Sequence, residues 1–162
     1  HFYKIKILSR YSNEPTKLWN AMAGMARCYS RSGVYLKAIE IFEDAISLSA
    51  GNSFQSNLFL GLGACYLLES VRNENGSLLR NKAIEIYIQA INSTHLGDIS
   101  KVYARLGLAK ALGEGGQGNL AMQEFDKAVS ELAHLGKPES KMFLDNREIF
   151  ENGDWSSIQL MN

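Results

Sequence analysis

The stretches Ala38-Ile39-Glu40-Ile41-Phe42-Glu43-Asp44-Ala45, Ala83-Ile84-Glu85-Ile86-Tyr87-Ile88-Gln89-Ala90 and Ala121-Met122-Gln123-Glu124-Phe125-Asp126-Lys127-Ala128 decide the fold. In each, an alanine, an aromatic residue and a second alanine follow one another at gaps of four and three residues, which puts all three on one face of a helix. A small residue on one helix lets a neighbour's aromatic ring sit against its backbone, so the pattern predicts closely packed helix pairs. A partner helix precedes each stretch: one carries Ala26 and Tyr29 and ends near Gly33, the next carries Gly63 and Tyr66, and the third carries Ala109 and Leu112 and ends near Gly116. Gly33 and Gly116 suit the turns because glycine takes positive φ at little cost.

Working outward, residues 16–137 read as three repeats, at about 18–50, 55–95 and 99–135. Residues 1–15 carry Phe2, Ile5, Leu8 and Tyr11 at helical spacing and read as an N-terminal helix, the end of an earlier repeat, with Pro15 as punctuation. In 138–162, Pro138 suits a first helical position. Met142, Phe143, Ile149 and Phe150 then form an apolar stripe, which predicts one capping helix from Pro138 to Glu151. Trp155, Ile158 and Leu160 either fold back on the array or form a docking segment; packing is the expectation, because large apolar side chains are usually buried. Ser70 to Asn81, with Asn73, Asn75 and Gly76, reads as a long surface turn.

Composition narrows the function classes. Seventeen basic residues balance 17 acidic ones, so the field that draws a protein to nucleic acid or anionic lipid is missing. No apolar run approaches the ~20 residues of a membrane helix, and the N-terminus lacks the features of a secretory signal; an intracellular, cytoplasmic location is expected. Cys28 and Cys65 lack zinc-site spacing and read as reduced and structural. His1, His95 and His134 lie far apart, so no metal is expected. Gly113-Glu114-Gly115-Gly116-Gln117-Gly118 has dinucleotide-fingerprint spacing but follows a predicted helix instead of a strand, so it reads as a turn and no cofactor is expected. No nucleophile elbow is present, Glu40, Glu43 and Asp44 read as a solvated face, and the chain is not expected to be an enzyme.

The three in-phase copies resemble the tetratricopeptide repeat family over roughly Leu18 to Leu135. The spacings, 45 residues from Ala38 to Ala83 and 38 from Ala83 to Ala121, exceed the family's usual ~34, and the loop-end proline is missing after the first two copies. The resemblance implies an all-α, right-handed superhelical solenoid of antiparallel helix pairs with terminal capping helices. It also implies a scaffold or adaptor function, with a protein or peptide segment held in the concave groove lined by first helices. Helical spacing puts Asn20, Ala23, Arg27 and Arg31 of the first repeat on that groove, with Asn57, Leu60 and Ala64 of the second and Tyr103, Leu106 and Lys110 of the third. Such a groove suits a peptide with an apolar anchor and an acidic residue near Arg27 and Arg31. A solvated arginine pair is the alternative. Family members that hold chaperone tails use a Lys and Asn clamp; Ala23 and Arg27 stand where that pair is expected, which argues against a chaperone tail as ligand.

Two other readings stay open. Leu58-Phe59-Leu60-Gly61-Leu62-Gly63-Ala64-Cys65 is similar to the middle repeat of secretion-type chaperones that hold an extended client, although the long turn after it departs from that pattern. The chain would also serve as a regulatory sensor module of a larger signalling protein or enzyme. Pairing of two copies through the terminal helices stays open as well.

Overall fold

The structure, a computed structural model, describes residues 13–160, so the helix predicted over 1–15 falls almost wholly outside the described residues. The described residues are all-helical. They form α1 (Pro15–Arg31), α2 (Tyr35–Leu48), a 3-10 turn (Ser53–Gln55), α3 (Ser56–Ser70), α4 (Gly76–Asn92), α5 (Asp98–Glu114), α6 (Gly118–His134), α7 (Glu139–Asp145) and α8 (Arg147–Glu151). Consecutive helices pack together from α1 through α7, α8 packs on α6, and α3 also touches both α1 and α5.

Local chemistry sets the boundaries. Pro15 opens α1, where a missing amide donor costs nothing. Gly33 and Gly116 take φ +74° and +82°. The two turns close alike: the Val34 amide donates to the Tyr29 carbonyl and the Gln117 amide to the Leu112 carbonyl, each at 2.9 Å, which satisfies carbonyls that a helix end leaves open.

The repeated aromatic positions form the centre of the core. Phe42, Tyr87 and Phe125 are 0%, 1% and 0% exposed, and the alanines flanking each are fully buried. Glycines on neighbouring helices make room for the rings: a Cβ at Gly61 of α3 would overlap Phe42, and one at Gly63 of α3 or Gly107 of α5 would overlap Tyr87. Each ring contributes roughly 1.5–3 kcal/mol by burial. Because α3 has helices on several sides, all of its residues but Asn57 and Leu68 are buried, which explains its unbroken apolar sequence.

Two sequence expectations are corrected. The long turn read over Ser70 to Asn81 is only Val71 to Asn75, since α4 starts at Gly76. The Asn73 side chain accepts a 3.0 Å hydrogen bond from the Asn75 amide, and Gly76 sits so close to the Ser70 carbonyl that a Cβ would collide with it. Asparagine and glycine here build a tight turn, not a loose excursion. The single capping helix is two, α7 and α8, broken at Asn146, whose side-chain amide donates to the Met142 carbonyl at 2.8 Å. A side chain that competes for helix carbonyls in this way favours a break. The packing expectation for Trp155 and Ile158 agrees with their burial at 2% exposure each.

Candidate functional site

Because α3 lies between α1 and α5, one face of all three helices borders a shallow cleft of ≈ 340 Å³. Asn20 and Arg27 of α1 stand seven residues apart, two helical turns on one stripe. Asn57, Leu60 and Gly61 of α3 line the floor, with Ser100 of α5 at the far side and Phe54 of the 3-10 turn at one end. Phe54 is fixed from two directions. Its amide donates to the Asn52 side chain at 2.9 Å, and its ring stacks at a tilt of 30° on Trp19, with centroids 5.8 Å apart.

The cleft is amphipathic. Leu60, Gly61 and Phe54 supply apolar floor and wall, whereas Asn20, Asn57, Ser100 and Arg27 supply hydrogen-bonding groups. Arg27 brings a guanidinium, a planar fork of hydrogen-bond donors, to the cleft lining.

Asn20, Arg27, Asn57 and Leu60 are thus the sequence-derived site residues that the structure brings together. Arg31 is exposed near the end of α1 and Tyr103 is half-buried on α5, both outside the cleft lining. Three positions are corrected as surface residues: Ala23 and Ala64 are fully buried and Leu106 is 2% exposed, because each of α1, α3 and α5 packs on more than one neighbouring helix. Lys110 is corrected more sharply. It is 8% exposed, and its Nζ donates to the carbonyls of Trp155, Ser156 and Ile158 at 3.0, 3.3 and 3.2 Å.

Sequence reasoning missed Phe54 and Ser100. Ser100 lies three residues before Tyr103, so extending the α5 stripe by one turn would have found it. Phe54 sits in a serine- and asparagine-rich connection with no helical pattern, and only its aromatic character in a polar run marked it.

Elsewhere, Arg105 of α5 joins α6 by ion pairs to Glu124 at 2.9 Å and Glu131 at 3.1 Å. Burial pushes the Glu124 carboxyl up, but hydrogen bonds from Lys127 and Arg105 outweigh it and hold the group below its ordinary value. Burial first, then the hydrogen bond to Glu43, raises the Tyr66 hydroxyl well above the ordinary phenol range, so it stays a neutral donor. No helix among the described residues is long and apolar enough to cross a membrane. Compared with known proteins, the chain matches no family model, no curated protein and no solved structure.

Proposed function

We propose that the chain is a tetratricopeptide-type solenoid that works as a scaffold, holding a protein or peptide segment in the cleft across α1, α3 and α5. The observation that carries this reading is the joint placement of Arg27, Asn20 and Asn57 around an apolar floor of Leu60 and Gly61. Such an arrangement suits a short segment with one apolar anchor on Leu60 and a carboxylate on Arg27, while the amides of Asn20 and Asn57 bond its backbone. The glycine-seated aromatic rings of α2 and α4 support the repeat reading, because they are the contacts that stacked helix pairs need. A cytoplasmic setting belongs to the same proposal.

The test is a fluorescence-polarisation screen of peptides that pair one large apolar residue with one aspartate or glutamate. The best binder is then measured against Arg27→Glu and Asn57→Ala, which alter surface groups and spare the core. Arg27→Glu should weaken binding at least tenfold and flatten its loss with added salt, and Asn57→Ala should weaken it about threefold, as expected for a charge-assisted and a neutral hydrogen bond respectively. Equal affinity of all three proteins rejects the cleft as the binding site.

A further inference from the structure

The segment after α8 is held by chemistry that a simple cap does not need. Gly153 ends the helical region at φ +88°, and the chain then turns through Asp154 to Leu160 without forming a helix. Within that stretch only Trp155 and Ile158 are deeply buried, at 2% exposure each, while Asp154, Ser156, Ser157 and Gln159 are exposed. The indole lies directly on Gly113 of α5, where any Cβ would overlap it. Phe150 meets it at 5.5 Å between ring centroids and Phe125 at 6.3 Å. The turn is set by Asp154, which accepts hydrogen bonds from the Ser156 amide at 3.0 Å and hydroxyl at 2.5 Å.

Lys110 supplies the polar half. Its ammonium has three protons, and three main-chain carbonyls of this segment accept them, with Glu114 at 3.5 Å as counter-charge. A nearly buried ammonium is costly, and a leucine in its place would pack an apolar segment more cheaply. What the ammonium adds is recognition of backbone carbonyls, which any chain in the same turn would present. A cleft of ≈ 430 Å³ opens beside the indole and is lined by Gly113, Gly116, Asn119, Phe150 and Glu151, so one edge of the seat borders solvent.

We infer that Lys110, Gly113, Phe125 and Phe150 form a second peptide-binding site, whose ligand is a turn carrying a tryptophan and an isoleucine three residues later, and that Asp154 to Leu160 occupies it as an exchangeable strap. The site shares no residue with the cleft across α1, α3 and α5 and stands independently of that function. A segment joined to its own seat competes at high effective concentration, so the wild-type chain binds a free copy of the segment weakly.

The probe is a fluorescein-labelled synthetic peptide with the sequence of residues 153–160, titrated into the full chain. Trp155→Ala withdraws the indole of the strap while leaving the seat intact. This variant should bind the peptide at least tenfold more tightly than wild type, and adding Gly113→Val, which fills the indole position, should abolish the gain. A Trp155→Ala chain with wild-type circular dichroism that binds no more tightly than wild type overturns the inference, as does a gain that survives Gly113→Val. Should Trp155→Ala lose its helical signal, Lys110→Met in the otherwise native chain decides by amide exchange. Exchange in 156–160 that rises at least tenfold while 98–134 keeps its protection supports a detachable strap; joint loss of protection in both overturns it.

Discussion

The three aromatic seats of this protein are built alike on one side and differently on the other. Phe42 and Tyr87 are closed by the next helix, whose glycines let the rings reach its backbone. Phe125 occupies the same place on α6, but no further long helix follows among the described residues. Its ring is closed instead by Phe150 at 4.5 Å, Phe143 at 5.8 Å and Trp155 at 6.3 Å, from two short helices and an irregular segment. The difference teaches that the alanine and aromatic pattern encodes only half of each contact. Where the pattern stops, large side chains from non-repetitive sequence must supply the other half, and a segment without helical hydrogen bonds opens more readily.

The comparison can be broken most directly at the rings. Phe42→Ala should cost about 3–5 kcal/mol in urea unfolding, because a helix-lined seat cannot collapse around the cavity. Phe125→Ala should fall at the lower end of that range, about 3 kcal/mol, with amide exchange rising first in 139–160. Uniform exchange across the chain in both variants would show that the cap and the helix-closed seats open as one unit.

A smaller effect sharpens the comparison at α5 and α6, the pair that adjoins the cap. Glu124 has its carboxyl held low in the folded chain, so the stability it adds is present at neutral pH and is lost as pH falls through that depressed value, below the ordinary 4.5. With its side chain 17% exposed and Lys127 55% exposed, the contribution should stay under about 1 kcal/mol. Thermal unfolding at pH 7 and pH 3 should therefore differ less in Glu124→Gln than in wild type. An unchanged difference would assign the acid sensitivity to other carboxylates.

The smallest effect is expected at Tyr87. Its hydroxyl is buried without a hydrogen-bond partner among the described residues, and burial drives it far above the ordinary phenol range. Tyr87→Phe should stay within about 1 kcal/mol of wild type by urea titration, since it removes no protein hydrogen bond and keeps the ring on Gly63 and Gly107. A loss above about 2 kcal/mol would mean that the hydroxyl is satisfied and that this seat differs in kind from that of Phe42.

By itself, the sequence determined the helices α1 to α6, the buried alanine and aromatic faces, and the glycine turns at Gly33 and Gly116, because helical periodicity and positive φ are local properties. It also set Asn20 with Arg27 on one stripe of α1 and Asn57 with Leu60 on one stripe of α3, since a stripe along a helix follows from spacing alone. Tertiary structure decided what depends on how many neighbours a helix has. Ala23, Ala64 and Leu106 are core because α1, α3 and α5 pack on more sides than a single stripe reveals. It decided too that Lys110 faces a turn 45 residues downstream: three carbonyls converge on it only after α5, α6 and the cap have packed, and no spacing in the chain records that convergence.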